Sequence, residues 1–387
     1  MNRRIFLQNV NMAAVSLAAG GGLLGCMKKP ISAAIQPGML PVNLPETICH
    51  LPRVKVSAER EIRTVVGLRP YRPSGFRVAK EMVGDTAVVH NYGHGGGGIT
   101  LSWGTSKLAV DLGLPGHLGP VAVLGCGAVG LATARLAQEA GFDVTIYTKA
   151  MPPETTSNIA GGQWHPVTVY DTDRTLTSEF TKQFVDAAQY AYRRYQIMTD
   201  PKYGIRWMRN YSLSDTPPRS PVTAGLSGLI QGMQPEIKDL PPGKHPFGNK
   251  FARQFDGMLV EPPIYLPAML TDVRIAGGKI VVQELKSLEE VRRLPEKLVF
   301  NCTGLGAKAL FGDEELTPIR GQLTILLPQP EVTYATVYEN TYMFSRRDGV
   351  VLGGTHEMGD WNLQPDMVTK AAILTKQAKL FDDMRDC

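Results

Sequence analysis

Gly125, Gly127 and Gly130 stand between a short apolar run, Pro120 to Leu124, and a stretch of good helix formers from Leu131 to Ala140 with apolar residues at helical spacing. At the first of these positions glycine permits a tight turn. At the second it lets the backbone approach a pyrophosphate, and at the third it lets a helix pack closely on a strand. The helix N-terminus then stabilises the anion. A second strand, Asp143 to Tyr147, follows at the distance a dinucleotide-binding unit requires. It runs out into Tyr147-Thr148-Lys149, where that pattern has an Asp or Glu for the ribose, so the ribose contact is expected to be made differently.

A second glycine stretch, Gly95-Gly96-Gly97-Gly98, has no side chains, so its backbone can come close to a ligand. A bare glycine run is more often a linker, but the surrounding His90, Asn91, Tyr92, His94 and Trp103 argue against one here. Cys26, Cys49, Cys126, Cys302 and Cys387 form no CxxC pair and have no His partner at ligand spacing, so no metal site and no disulfide framework are expected. Cys49 and Cys387 stand either as free thiols or as a pair.

The elements that must position these residues come from a chain of 387 residues, 43% of them apolar, enough for one large core or two domains. The formal net charge of +5 is too mild to imply a nucleic-acid partner. Arg3 and Arg4 precede an uncharged stretch from Met12 to Leu24 that is well short of a membrane span and ends at Leu23-Leu24-Gly25-Cys26. This reads as a twin-arginine signal closing on a bacterial lipoprotein box, with Cys26 lipidated and a Pro-rich tether behind it. Membrane contact is expected only through that N-terminal lipid or signal.

Beyond the glycine turn, Thr155-Thr156-Ser157-Asn158-Ile159-Ala160-Gly161-Gly162-Gln163-Trp164-His165-Pro166 resembles the segment with which D-amino-acid and D-aspartate oxidases cover the FAD pyrophosphate and flavin. Val299 to Gly304, with Thr303, resembles their return to the FAD. Arg320-Gly321-Gln322, Val351 to Gly354 and Gly359-Asp360-Trp361 are similar to further markers of the family. Gly67-Leu68-Arg69-Pro70-Tyr71-Arg72-Pro73 resembles its substrate-arginine segment, and Val89 to Gly104 its flavin-facing glycine loop. In ordinary members these last two lie near the C-terminus. Here they precede the nucleotide motif, which implies a circular permutation joined through Leu114 to Pro120.

The resemblance implies an α/β fold: a Rossmann-type FAD-binding domain plus a substrate domain with a mixed or antiparallel sheet. The expected organisation is a signal peptide over 1–25, a tether over 26–50, an FAD-binding domain from 51–170 and 264–318, and a substrate domain from 171–263 and 319–387. Residues 215–250, rich in Pro and Gly, are expected to be a surface excursion.

By the same resemblance, Gly125, Gly127, Gly130, Thr155, Thr156, Ser157, Gly161, Gly162, Thr303, Gly95, Gly96, Gly98 and Thr100 hold the FAD. A guanidinium grips a carboxylate with two hydrogen bonds, so Arg69 becomes the substrate anchor. Tyr342 becomes the carboxylate-binding tyrosine, Tyr338 the lid tyrosine, and the Gly96 carbonyl the acceptor for the substrate amine. Hydride transfer from a neutral amine needs no base, so His90, His94 and His165 are taken as structural.

Val167 holds the place of a pocket histidine in D-aspartate oxidases, and Thr333 to Val337 contains no arginine, which favours neutral over acidic substrates. Arg206, Arg209 and Arg219 remain able to enter the pocket from elsewhere. The implied activity is oxidation of a D-amino acid by FAD and O2 to a 2-oxo acid, ammonia and hydrogen peroxide. Two other readings stay open: a membrane-tethered dehydrogenase with a different acceptor, and a noncatalytic FAD-binding lipoprotein.

Overall fold

The computed structural model describes residues 48–171, 177–218 and 226–387. The twin arginine, the apolar stretch and Cys26 lie outside the described residues, as does Arg219. Fifteen strands appear in chain order: β1 Glu61–Tyr71, β2 Arg77–Val83, β3 Thr86–Tyr92, β4 Val121–Leu124, β5 Val144–Thr148, β6 Ile205–Ser214, β7 Lys238–Leu240, β8 Phe251–Val260, β9 Lys279–Val282, β10 Leu298–Asn301, β11 Thr317–Leu326, β12 Tyr334–Tyr338, β13 Thr341–Arg346, β14 Gly349–Gly353 and β15 Glu357–Met358. The five longest helices are α1 Gly98–Gly113, α2 Ala128–Glu139, α3 Ser178–Ile197, α4 Pro262–Ile275 and α5 Met367–Asp382.

The first sheet has six strands in the order β2-β3-β10-β4-β5-β9. All neighbours run parallel except β2, which is antiparallel to β3. Its central strands are apolar without interruption because both faces are covered. Val89, Val121, Val123 and Phe300 pack into the core that holds α1 to α4, and Val88, Ala122, Leu124 and Val299 into a core on the other side. Gly104 of α1 marks its crossing with α3, since a β-carbon there would stand 1.8 Å from the Ala187 carbonyl oxygen.

The second sheet runs β1-β11-β14-β13-β12-β6-β8-β7, with β15 added alongside β11. It is antiparallel except where β12 runs parallel to β6. α5 lies on one face, burying Ile373, Leu374, Leu380 and Phe381 with Tyr211, Tyr334, Met343 and Leu352. The other face carries Met208, Leu323, Ala335, Phe344 and Val351.

Two sequence expectations need correction. Strand β1, grouped with the nucleotide-binding portion over 51–170, belongs to the second sheet, because it pairs with the whole length of β11, from Glu61↔Leu326 to Tyr71↔Thr317. Residues 215–250 are not merely a surface excursion: β7 joins the sheet edge, and Ile230, Leu240 and Phe247 are buried.

The described ends of the chain meet. Cys49 and Cys387 are joined by a disulfide with a Cα–Cα distance of 4.8 Å across 338 residues of sequence. Arg53 Nη2 donates to the Met384 carbonyl at 2.7 Å, and the Tyr334 hydroxyl donates to the Pro52 carbonyl at 2.7 Å. Among the described residues no helix is long and apolar enough to cross a membrane.

Candidate active site

A cavity of about 1380 Å³ opens at the carboxyl ends of β4, β5, β9 and β10 and continues beneath the second sheet. This is where open parallel sheets place ligands. At its nucleotide end β4 turns through Gly125, whose φ of +101° glycine adopts without strain. A β-carbon there would also stand 2.6 Å from the Cys302 carbonyl oxygen. Gly127 is the N-cap of α2, and the Ala128 N–H donates to Ser157 Oγ at 3.0 Å. Thr155, Thr156, Ser157, Gly161, Gly162 and Thr303 share this wall with Gly125 and Gly127. Gly130 does not line the cavity. It sits under the turn, where a β-carbon would come within 2.0 Å of the Gly125 carbonyl oxygen.

Gly95, Gly96, Gly98 and Thr100 line the cavity between β3 and α1. The protein also crowds this loop from behind. A β-carbon on Gly95 would meet the Thr168 carbonyl oxygen at 1.9 Å, and one on Gly96 the Val167 oxygen at 2.7 Å. The Gly96 N–H donates to the Thr168 carbonyl at 3.3 Å. Close protein neighbours, as well as the cavity, therefore account for the absence of side chains at these two positions.

His90 and His94 are buried, His165 is half-buried, and all three are bonded. His90 Nδ1 lies 3.0 Å from Asn301 Nδ2, and His94 Nε2 lies 2.8 Å from Thr105 Oγ1. Burial pushes the His94 pKa down to about 3 and lowers those of His90 and His165. His165, paired with Gln234 at 3.0 Å, lines the cavity along with His94.

The other end is built from a single row across the second sheet. Register pairs Arg253 with Ser212, Ser212 with Val337, Val337 with Tyr342, Tyr342 with Gly353, and Gly353 with Leu323. Arg253, Ser212, Val337, Tyr342 and Leu323 all line the cavity. Gly353 makes room, since a β-carbon there would lie 2.4 Å from the Tyr342 ring.

Arg69 enters from β1 and faces Tyr342. Its Nη1 donates to the Thr355 carbonyl at 3.3 Å and to the Arg320 carbonyl at 3.5 Å, which fixes the guanidinium. Burial raises the pKa of the Tyr342 hydroxyl, and the charge of Arg69 offsets part of that rise. Tyr342 stacks on Phe344 with centroids 4.7 Å apart.

Tyr338 is not part of this wall. It packs on the α5 face of the sheet, where its hydroxyl donates to Asp215 at 2.9 Å and accepts from Lys250 Nζ at 3.1 Å. Its expected place as a lid tyrosine is corrected accordingly. The cross-strand partner of Tyr342 is Val337, so the next residue along β12 must point to the opposite face.

The model of the family described as "FAD dependent oxidoreductase" matches residues 17–112 and 120–387 of this chain. The chain belongs to this family. It is 30% identical over 273 residues to a D-amino-acid oxidase of Rubrobacter xylanophilus, covering 68% of this chain and 77% of that one. It is 28% identical over 262 residues to the human D-aspartate oxidase, covering 66% of this chain and 74% of the relative. A glycine oxidase structure from Bacillus cereus shares the fold, with a TM-score of 0.52 and 16% identity over 70% of this chain and 83% of that one.

The FAD of this family fits the residues present. A helix N-terminus and a glycine-bounded turn face a cavity large enough for a dinucleotide and a small acid together. When bound, FAD supplies the hydride acceptor.

Several supporting roles are not legible in the sequence, which offers Arg320 and Trp361 only as parts of family markers. Arg320, 2% exposed, pairs with Glu357 and donates to the carbonyls of Asn362 at 2.8 Å and Gln364 at 2.6 Å. It thereby ties down the strap whose Trp361 and Leu363 line the cavity. Ile230, Gln234 and Ile237 reach the wall from 215–250, a segment with no periodic signal. Arg206 and Arg209 do not line the cavity. They pair with Glu261 and Asp256.

Proposed function

We propose that this FAD-dependent enzyme oxidatively deaminates D-amino acids with neutral side chains: the amino acid is oxidised to an imino acid, water hydrolyses that to a 2-oxo acid and ammonia, and oxygen is reduced to hydrogen peroxide. The observation that carries the reading is the meeting of Arg69 and Tyr342 on the wall of the cavity that also holds the dinucleotide turn. A half-buried guanidinium held beside a phenol is a site for a carboxylate. In this reading the Gly96 carbonyl accepts a hydrogen bond from the amine, which leaves the substrate held at two points with its α-carbon between them.

Two named relatives, oxidases of D-amino acids and of D-aspartate, support the stereochemical class. Val167, Val337, Phe344, Phe255, Ile230 and Ile237 give the wall an apolar character. Arg253 reaches it already bonded to Asp239 at 2.7 and 2.8 Å, so the pair adds no net charge. Both features support neutral side chains.

The test is to add D-alanine, D-aspartate and their L-enantiomers anaerobically and follow the flavin absorbance, then to admit oxygen and measure peroxide. Bleaching by D-alanine ahead of D-aspartate, with neither L-enantiomer active, is the expected result. Flavin unchanged by all four would overturn the reading.

The reading includes a circular permutation. The family model matches in two stretches that part at the connection before β4, and the described ends stand side by side at Cys49 and Cys387, as a rejoined ring requires. It also includes export through the twin-arginine route and a lipid at Cys26. A disulfide between the ends supports an oxidising compartment.

A further inference from the structure

Dinucleotide-binding units of this type carry an acid about 20 residues beyond the glycine turn, where it takes a ribose hydroxyl. At that place β5 ends on Thr148, followed by Lys149. The Thr148 hydroxyl donates to the Ala150 carbonyl at 2.7 Å, so it closes a local turn and brings no anion to the cavity. Thr148 and Lys149 both line the cavity, which leaves the nucleotide end with a cation where the fold calls for an acceptor.

The neighbouring strand supplies one. β9 runs parallel to β5 with Val282 opposite Thr148, and the ladder goes one step further, the Gln283 N–H donating to the Thr148 carbonyl at 2.8 Å. The next residue, Glu284, comes out at the same carboxyl edge, and its Oε1 lies 3.6 Å from Lys149 Nζ. Gln283, Glu284, Leu285 and Lys286 line the cavity in unbroken succession.

We propose that Glu284 is the acceptor for the adenosine ribose of FAD, its carboxylate having moved one strand over from the end of β5. Adjacent strands lie about 4.8 Å apart, and a glutamate side chain spans that distance. The pairing with Lys149 decides the ligand chemistry. An uncompensated lysine at this place would favour a phosphorylated ribose, as basic residues do in units that take a 2′-phosphate. With Glu284 beside it, the local charge is balanced and the carboxylate is presented to neutral hydroxyls. Leu285, packed on the core of Leu124 and Leu310, gives the adjoining base an apolar contact.

This inference rests on the FAD fold and not on the substrate reading, so its test adds no amino acid. The full chain is freed of flavin, and wild type and Glu284→Ala are titrated with FAD. The flavin-free proteins are melted in parallel. Loss of a hydrogen bond to a charged acceptor is expected to raise the FAD dissociation constant about tenfold. The spectrum of the saturated variant and the melting temperature of its flavin-free form stay at the wild-type values. A dissociation constant within about twofold of wild type would overturn the proposal. So would weaker FAD binding accompanied by a lower melting temperature, which marks a structural effect instead.

Discussion

The guanidinium of Arg69 occupies the space that a side chain on Gly321 would need: a β-carbon at position 321 would stand 2.5 to 2.7 Å from Nη2, Nη1 and Cζ of the arginine. The two residues sit on the paired strands β1 and β11, two positions apart in register. Because the crowded atoms are the far end of a flexible chain, Gly321→Ala is expected to leave the fold intact and push the guanidinium aside. A misplacement of about 1 Å at a positioning group costs about a hundredfold in rate. We expect kcat/KM for a D-amino acid to fall by about that factor while flavin content stays at wild type, measured by anaerobic flavin reduction. Wild-type reduction kinetics in Gly321→Ala would show that Arg69 is not the anchor.

Tyr342 and Tyr338 should behave oppositely. Removing the hydroxyl that faces Arg69, in Tyr342→Phe, is expected to lower kcat/KM roughly tenfold, the cost of one hydrogen bond to a charged partner. Tyr338→Phe breaks contacts with Asp215 and Lys250 on the α5 face, away from the cavity, and should stay within about twofold of wild type. Steady-state kinetics on the two variants decides it. Equal effects would contradict the face assignment.

The same pair of tyrosines marks the limit of what the sequence reveals. In one continuous strand, residues four apart share a face. Here a tight turn through Glu339, with φ of 52°, and Asn340 separates β12 from β13, pairing Tyr338 with Thr341 and Val337 with Tyr342, so the parity is broken. The glycine turn at Gly125 was legible because its constraints are local: strand, turn and helix lie within about 20 residues. The place of β1 was not, since its partner β11 lies some 250 residues away in sequence and only the assembled sheet reveals the pairing. Residues 215–250 look like surface by their Pro and Gly content, yet single residues such as Ile230 and Phe247 are buried without any repeat that would announce it.

The Cys49–Cys387 disulfide closes a loop of nearly the whole described chain. Chain-entropy arguments assign a crosslink of this span roughly 6 kcal/mol, because the unfolded chain loses the freedom of two distant ends. Reduction, or Cys49→Ala, is expected to lower the melting temperature by roughly 5 °C or more, with flavin content at 25 °C unchanged. The ends are also held by Arg53 and Tyr334, so the native contacts survive in the reduced protein. Melting curves with and without a thiol reductant check this, and coincident curves would mean the crosslink contributes nothing.

Acid should weaken the fold through His94. Its folded-state pKa is held at about 3 by burial, against an ordinary 6.5. Between these values the unfolded chain binds a proton that the folded chain refuses, so stability is present above about pH 6.5 and is lost as the pH falls towards 3. At pH 5 this one group costs about 2 kcal/mol. His90, His165, His245 and His356, whose pKa values are also lowered by burial, act in the same direction, so His94 supplies one part of the wild-type slope. His94→Gln keeps a polar group near Thr105 and removes one titration. The expected result is a shallower fall in melting temperature between pH 7.5 and pH 5 than in wild type. Parallel slopes would show that His94 takes up its proton without opening the loop between β3 and α1, and would remove burial as the cause of its neutrality.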